Sequence, residues 1–124
     1  MKHLLDVNAL IAAIWTSHPH HPKVSAWLAG KSVLLCPVTE LGFLRISTNR
    51  KVLAVTMADA RSALERFAKD QKAERIPADL EALESHPSKS EEVTDIYLAD
   101  LAAKHGSKLG TMDGGIIHPA VESI

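Results

Sequence analysis

A single cysteine, Cys36, is all the thiol chemistry in these 124 residues, so no disulfide framework can form within the chain. Its setting, Val33-Leu34-Leu35-Cys36, reads as a buried strand. No neighbouring residue would lower its pKa, so a core thiol in a reducing compartment is expected rather than a nucleophile. Long apolar runs are also missing. The stretch from Ala9 to Trp15 is far short of the roughly 20 residues that span a bilayer. Lys2 imitates the charged start of a secretory signal, but Asp6 and Asn8 interrupt the apolar run behind it. There are no repeats and no low-complexity segments. These absences leave one domain over residues 1–124, expected in the cytoplasm and away from membranes. At this length a domain buries roughly two thirds of its unfolded surface, enough for a real core.

The net charge of −1 conceals an imbalance. Residues 1–51 hold six basic side chains and two acids, a balance of +4; residues 52–124 hold eight and thirteen, a balance of −5. The two acids of the basic half are Asp6 and Glu40. A polyanion could approach that half, although an imbalance of this size is common in proteins that bind none.

Short apolar strands alternate with amphipathic helices. Strands are predicted at His3–Leu5, Val33–Cys36 and Lys108–Thr111, with Ile116-Ile117 as a final edge strand and a brief extended segment at Arg75-Ile76-Pro77. Helix signals are Asn8 as a cap before Leu10, Ile11, Ile14 and Trp15, then Pro22 opening a helix that Gly30 stops. Thr39 is expected to cap a third helix carrying Glu40 in its first turn. Thr56 and Asp59 resemble a capping box, and Thr94 is expected to cap a helix ended by Gly106. Strands alternating with helices argue for an α/β fold, a mainly parallel sheet covered on both faces. In such sheets ligands bind beyond the carboxyl ends of the strands.

That placement makes four acids informative. Asp6 and Asp113 follow strands; Glu40 and Asp95 open helices entering from the same edge. Two carboxylates about 4 Å apart repel by about 4 kcal/mol at an effective dielectric near 20. A cluster therefore needs a cation or protonation of some members. Oxygen ligands favour a hard divalent ion, Mg²⁺ or Mn²⁺, which points to metal-assisted hydrolysis of a phosphodiester. Each acid also has a structural explanation. Glu40 and Asp95 offset helix dipoles, Asp113-Gly114 suits a turn, and only Asp6 has no evident cap to make. Asn8 and Thr111 are candidate supports, through a bound water or a ligand carboxylate. Arg45, Asn49, Arg50 and Lys51 are candidate backbone contacts for a nucleic acid. Asp100 lies about 140° around the helix from Asp95 and is expected to face solvent. His18, His20 and His21 suggest zinc, but no Cys or second His pair completes a tetrahedral set, and a mobile loop is the better expectation.

Taken together, Leu5-Asp6-Val7-Asn8, Thr39-Glu40-Leu41-Gly42-Phe43-Leu44-Arg45 with Thr48-Asn49, Val93-Thr94-Asp95-Ile96-Tyr97-Leu98-Ala99 and Thr111-Met112-Asp113 resemble the PIN-domain ribonucleases, in particular VapC-type toxins of toxin–antitoxin pairs. The resemblance covers essentially the whole chain. It implies a three-layer α/β/α sandwich, Mg²⁺ or Mn²⁺ held by Asp6, Glu40, Asp95 and Asp113, and endonucleolytic cleavage of RNA. It also implies a small antitoxin as partner and a homodimer. Gly114-Gly115-Ile116-Ile117 departs from the bulkier turn usual in the family, which puts the loop's shape in question rather than the acids. Two other readings stand beside it. A metal-dependent phosphatase of the haloacid-dehalogenase type needs a second acid where this chain has Asn8. A binding module, including a PIN domain without catalysis, would use the acids only as caps and turns.

Overall fold

A computed structural model describes all 124 residues. Five strands form one sheet: β1 (Lys2–Leu5), β2 (Ser32–Leu35), β3 (Glu74–Arg75), β4 (Lys108–Thr111) and β5 (Val121–Ser123). Their order is β3-β2-β1-β4-β5, and every pairing is parallel. The helices are α1 (Val7–Ile14), α2 (His21–Leu28), α3 (Pro37–Thr48), α4 (Met57–Asp70) and α5 (Val93–Lys104). Short 3₁₀ turns at Ala82–Glu84 and Ser90–Glu92 lead into α5.

Successive side chains of a strand point to opposite faces, and the strands divide their apolar residues accordingly. Leu5, Val33 and Leu35 join Ala9, Leu10, Phe43, Leu64 and Phe67 of α1, α3 and α4 in one core. Leu4, Leu34 and Leu109 join Leu98, Leu101 and Ala102 of α5 in the other. The result is a three-layer α/β/α sandwich. Cys36 is fully buried in the second core, as expected of an inert thiol.

Several local expectations need correction. The final strand is Val121–Ser123, not Ile116-Ile117; Ile117 is almost fully exposed and Ile116 tucks in from a loop. Asp6, not Asn8, caps α1, because β1 ends at Leu5 and α1 starts at Val7, leaving one residue between them. Cys36 holds the cap position of α3, with Pro37 as its first residue; Thr39 lies inside and donates back to the Cys36 carbonyl at 3.1 Å. α5 begins at Val93, so Thr94 is also inside its helix. The Thr56 cap of α4 is observed, accepting from the Asp59 amide at 3.1 Å. Gly30 and Gly106 follow α2 and α5 with φ of +79° and +67°, values that favour glycine.

The chain lays β2 and β3 on one side of β1 and then returns to lay β4 and β5 on the other. Connections leaving β1 and β4 diverge to opposite faces, which opens a crevice at their carboxyl ends. Asp6 and Asp113 stand at that crevice.

Candidate active site

Asp6 sits at the bottom of the crevice, 4% exposed. Its two oxygens have different partners. Oδ1 accepts from the Ala9 amide at 2.7 Å, and Oδ2 accepts from the Thr111 hydroxyl at 2.5 Å. The Thr111 oxygen in turn accepts from the Asp113 amide at 3.0 Å. One buried hydroxyl therefore ties the end of β1 to the turn after β4. The turn closes on itself, with Asp113 Oδ1 accepting from the Gly115 amide at 2.8 Å.

Asp95 reaches the crevice from the first turn of α5. Asp6, Asp95 and Asp113 line one cavity of about 400 Å³ with Asn8, Ile11, His18, His20 and Met112. The electrostatics record their proximity. Burial pushes Asp95 up to about 6, and the charges of Asp6 and Asp113 push in the same direction. Asp6 is also raised, mainly by burial and slightly by Asp113, while the Thr111 and Ala9 hydrogen bonds pull it down. The crevice thus carries more negative charge than its solvation supports, a condition that a cation relieves.

Glu40 is placed elsewhere. It lines a neighbouring cavity with Leu41, Leu44, Arg61, Glu65 and Arg75, and its Oε1 accepts from Arg75 Nε at 2.9 Å. Arg75 is the residue that sequence reading missed here; 35 positions separate the pair, and no local pattern links them. Arg45, Asn49, Arg50 and Lys51 lie exposed on α3 and the turn after it, outside the acidic cavity. Asn49 holds that turn by accepting from the Lys51 amide. Asp100 does not simply face solvent: it accepts from the Ser85 hydroxyl at 2.5 Å and from His118 Nε2 at 2.6 Å, pinning two loops to α5. The three histidines do not form a loose loop either. His21 is the first residue of α2 and holds the Ala12 carbonyl at 2.9 Å, while His18 and His20 line the same cavity as the acids, and His18 also a second one with Trp15 and Leu53.

The donor set bears on a metal. No three His, Cys, Asp or Glu side chains stand close enough together to hold a metal ion between them. Mg²⁺ does not require three, since it keeps several waters and binds through one or two carboxylates plus substrate phosphate. Three carboxylates on one cavity, two of them with raised pKa, fit a hydrated hard cation. They do not fit zinc in a tetrahedral sphere.

Comparison with known proteins agrees with the geometry. The family model for the PIN domain matches residues 3–121. Ribonuclease VapC38 of Mycobacterium tuberculosis is 39% identical, over 91% of this chain and 86% of its own length. Ribonuclease VapC39 of the same species is 33% identical over 97% of this chain and 94% of its own. The chain belongs to the PIN domain family. Its curated relatives place it among the VapC-type members. A solved structure, VapBC2 from Rickettsia felis bound to a DNA fragment from its promoter, shares the fold over 100% of this chain and 99% of that one. Its TM-score is 0.66 at 16% identity.

Proposed function

We propose that this protein is a divalent-cation-dependent endoribonuclease and the toxin of a toxin–antitoxin pair. The observation that carries the reading is the gathering of Asp6, Asp95 and Asp113 on one cavity at the β1–β4 crevice, where burial and mutual repulsion raise the first two. The ribonuclease names of relatives 33–39% identical over nearly the whole chain support the substrate class.

In this proposal Asp6 and Asp95 hold the principal Mg²⁺ or Mn²⁺ directly, and Asp113 holds it through water or helps to hold a second ion. A bound ion of this kind lowers the pKa of its water and neutralises charge on the phosphate. The chain's own residues do the rest. Thr111 fixes Asp6 by donating to Oδ2, leaving Oδ1 committed to the Ala9 amide. Asn8, exposed at the mouth, orients water. Glu40 joins the cation through water or after releasing Arg75, whose exposed guanidinium is held by a weak, screened pair. Arg45, Asn49, Arg50 and Lys51 contact the RNA backbone at a distance from the bond that breaks.

The partner in this reading is a small antitoxin, and the protein is a homodimer. Leu41 on α3, Val52 and Leu53 in the connection after it and Met57 at the start of α4 are exposed large apolar side chains and suit a partner surface. No helix is long and apolar enough to cross a membrane.

The test is cleavage of total RNA with Mg²⁺, with Mn²⁺ and with EDTA, beside Asp6→Asn. Discrete products that need both the ion and Asp6 are expected. Full activity of Asp6→Asn would remove the assignment, and no cleavage by the wild type under any condition would favour a binding module.

A further inference from the structure

The acidic cavity has a difficulty of sign, because the substrate proposed for it is also an anion. Arg45, Arg50 and Lys51 do not line it. Apart from the three acids its wall holds Asn8, Ile11, Met112 and two imidazoles, His18 and His20. The histidines are the only side chains of that wall with a ring N–H to offer a phosphate.

Their turn is built rather than slack. The His18 amide donates to the Trp15 carbonyl at 3.0 Å, and the His21 amide donates to the His18 carbonyl at 3.0 Å. The His20 amide donates to Nδ1 of His18 at 3.0 Å. A ring nitrogen that accepts a backbone N–H carries no proton, so this geometry puts the ring's N–H on Nε2. The backbone fixes both tautomer and ring orientation. The His20 ring lies 5.7 Å from that of His18, tilted by 43°. Such a half-buried N–H, held in place and beside Ile11 and Met112 in the cavity wall, is a directional donor.

We propose that His18, through Nε2–H, and His20 beside it are the residues of this cavity that hold a phosphate of the RNA chain next to the bond that breaks. This rests on the nuclease reading for its substrate. They bind substrate; they neither ligate the cation nor relay a proton.

Two substitutions separate this role from a structural one. His18→Asn keeps an amide oxygen where Nδ1 stands, preserves the turn and removes the distal donor. His18→Gln puts an amide N–H near the position of Nε2 and gives up the turn bond. Cleavage of a short single-stranded RNA gives KM and kcat, and fluorescence anisotropy of the same labelled RNA on an Asp6→Asn background gives Kd. A hydrogen bond to an ionised phosphate is worth roughly a factor of ten or more in affinity. His18→Asn is expected to raise KM and Kd roughly tenfold with kcat within about twofold and Tm unchanged, and His18→Gln to stay close to wild type. His20→Asn is expected to raise Kd by a smaller factor. Unchanged KM and Kd in His18→Asn overturn the proposal while cleavage by the wild type keeps the nuclease reading. Damage confined to His18→Gln, with a lower Tm, assigns His18 to the turn alone. If the wild type cuts no RNA, anisotropy still decides: unchanged Kd in His18→Asn, or no RNA bound, overturns the proposal.

Discussion

Asp6 divides its two oxygens between architecture and the crevice, and substitution can separate the two. Asparagine keeps the cap on the Ala9 amide but turns an NH₂ donor toward Thr111, and alanine loses the cap as well, so both leave the buried Thr111 hydroxyl without its acceptor. Loss of a cap alone costs about 1 kcal/mol. Asp6→Ala is expected to melt roughly 3–5 °C below Asp6→Asn, with cleavage lost in both; calorimetry and an RNA assay on the same preparations check this. Asp95 makes a pH prediction. Its folded pKa of about 6 lies above the ordinary aspartate value of 3.8, so the folded chain holds this proton more tightly than the unfolded one. Without divalent ions, the Asp95 contribution to stability therefore falls as pH rises from about 4 to about 6 and is level above. Asp95→Asn is expected to lose that slope and to be the more stable form at neutral pH, as urea titrations at several pH values will show. Both acids were legible in the sequence as strand-end and helix-start carboxylates. The capping role of Asp6 was not, since Asn8 is an equally good cap by type and only the one-residue gap after β1 decides between them. The Glu40–Arg75 pair was beyond any local pattern.

At the scale of elements, periodicity located the helices and the main strands well. Alternation in a strand of four residues is a short signal, however, and Ile116-Ile117 carried the apolar character while Val121–Ser123 carried the pairing. β5 pairs with β4 alone, so it needs few apolar residues and leaves little trace in composition. Gly42 marks a contact no periodicity could announce. A Cβ there would stand 2.6 Å from Val7 Cγ2, so glycine lets α3 approach the start of α1 next to Asp6. Val7 is β-branched and stiff at χ1, so it yields poorly. Gly42→Ala is expected to cost about 1–3 kcal/mol, and Val7→Ala in the same chain to return part of it. A double-mutant cycle by urea denaturation measures the coupling; simple additivity would show that the two do not meet.

For the whole molecule, the +4 and −5 halves of the chain do not become two faces. Lys2 pairs with Glu74 and Arg75 with Glu40, so the halves interlock across the sheet. A tally along the sequence could not show this, because β2 and β3 come from opposite sides of the division. The field that matters is the local one at the crevice. A cation bound only by the folded state at a concentration 100 times its Kd adds about 2.7 kcal/mol, so Mn²⁺ is expected to raise Tm in the wild type and much less in Asp95→Asn; equal rises in both would remove Asp95 from the ion.

Of the five strands the earliest in the chain is the middle one of the sheet, and the hydroxyl that holds Asp6 lies 105 residues downstream. At roughly 5–20 residues per second, translation takes about 5–20 s to cover that interval. Once Leu35 is made, a nascent chain has β2 to pair with β1 but still no β4, and nothing fixes Asp6 Oδ2. A chain halted at Lys104 is expected to leave the Leu4 and Asp6 amides, which face β4, open to hydrogen exchange. Strand order thereby acts as a timer: the carboxylate proposed to serve RNA cleavage is made well before the strand that fixes it.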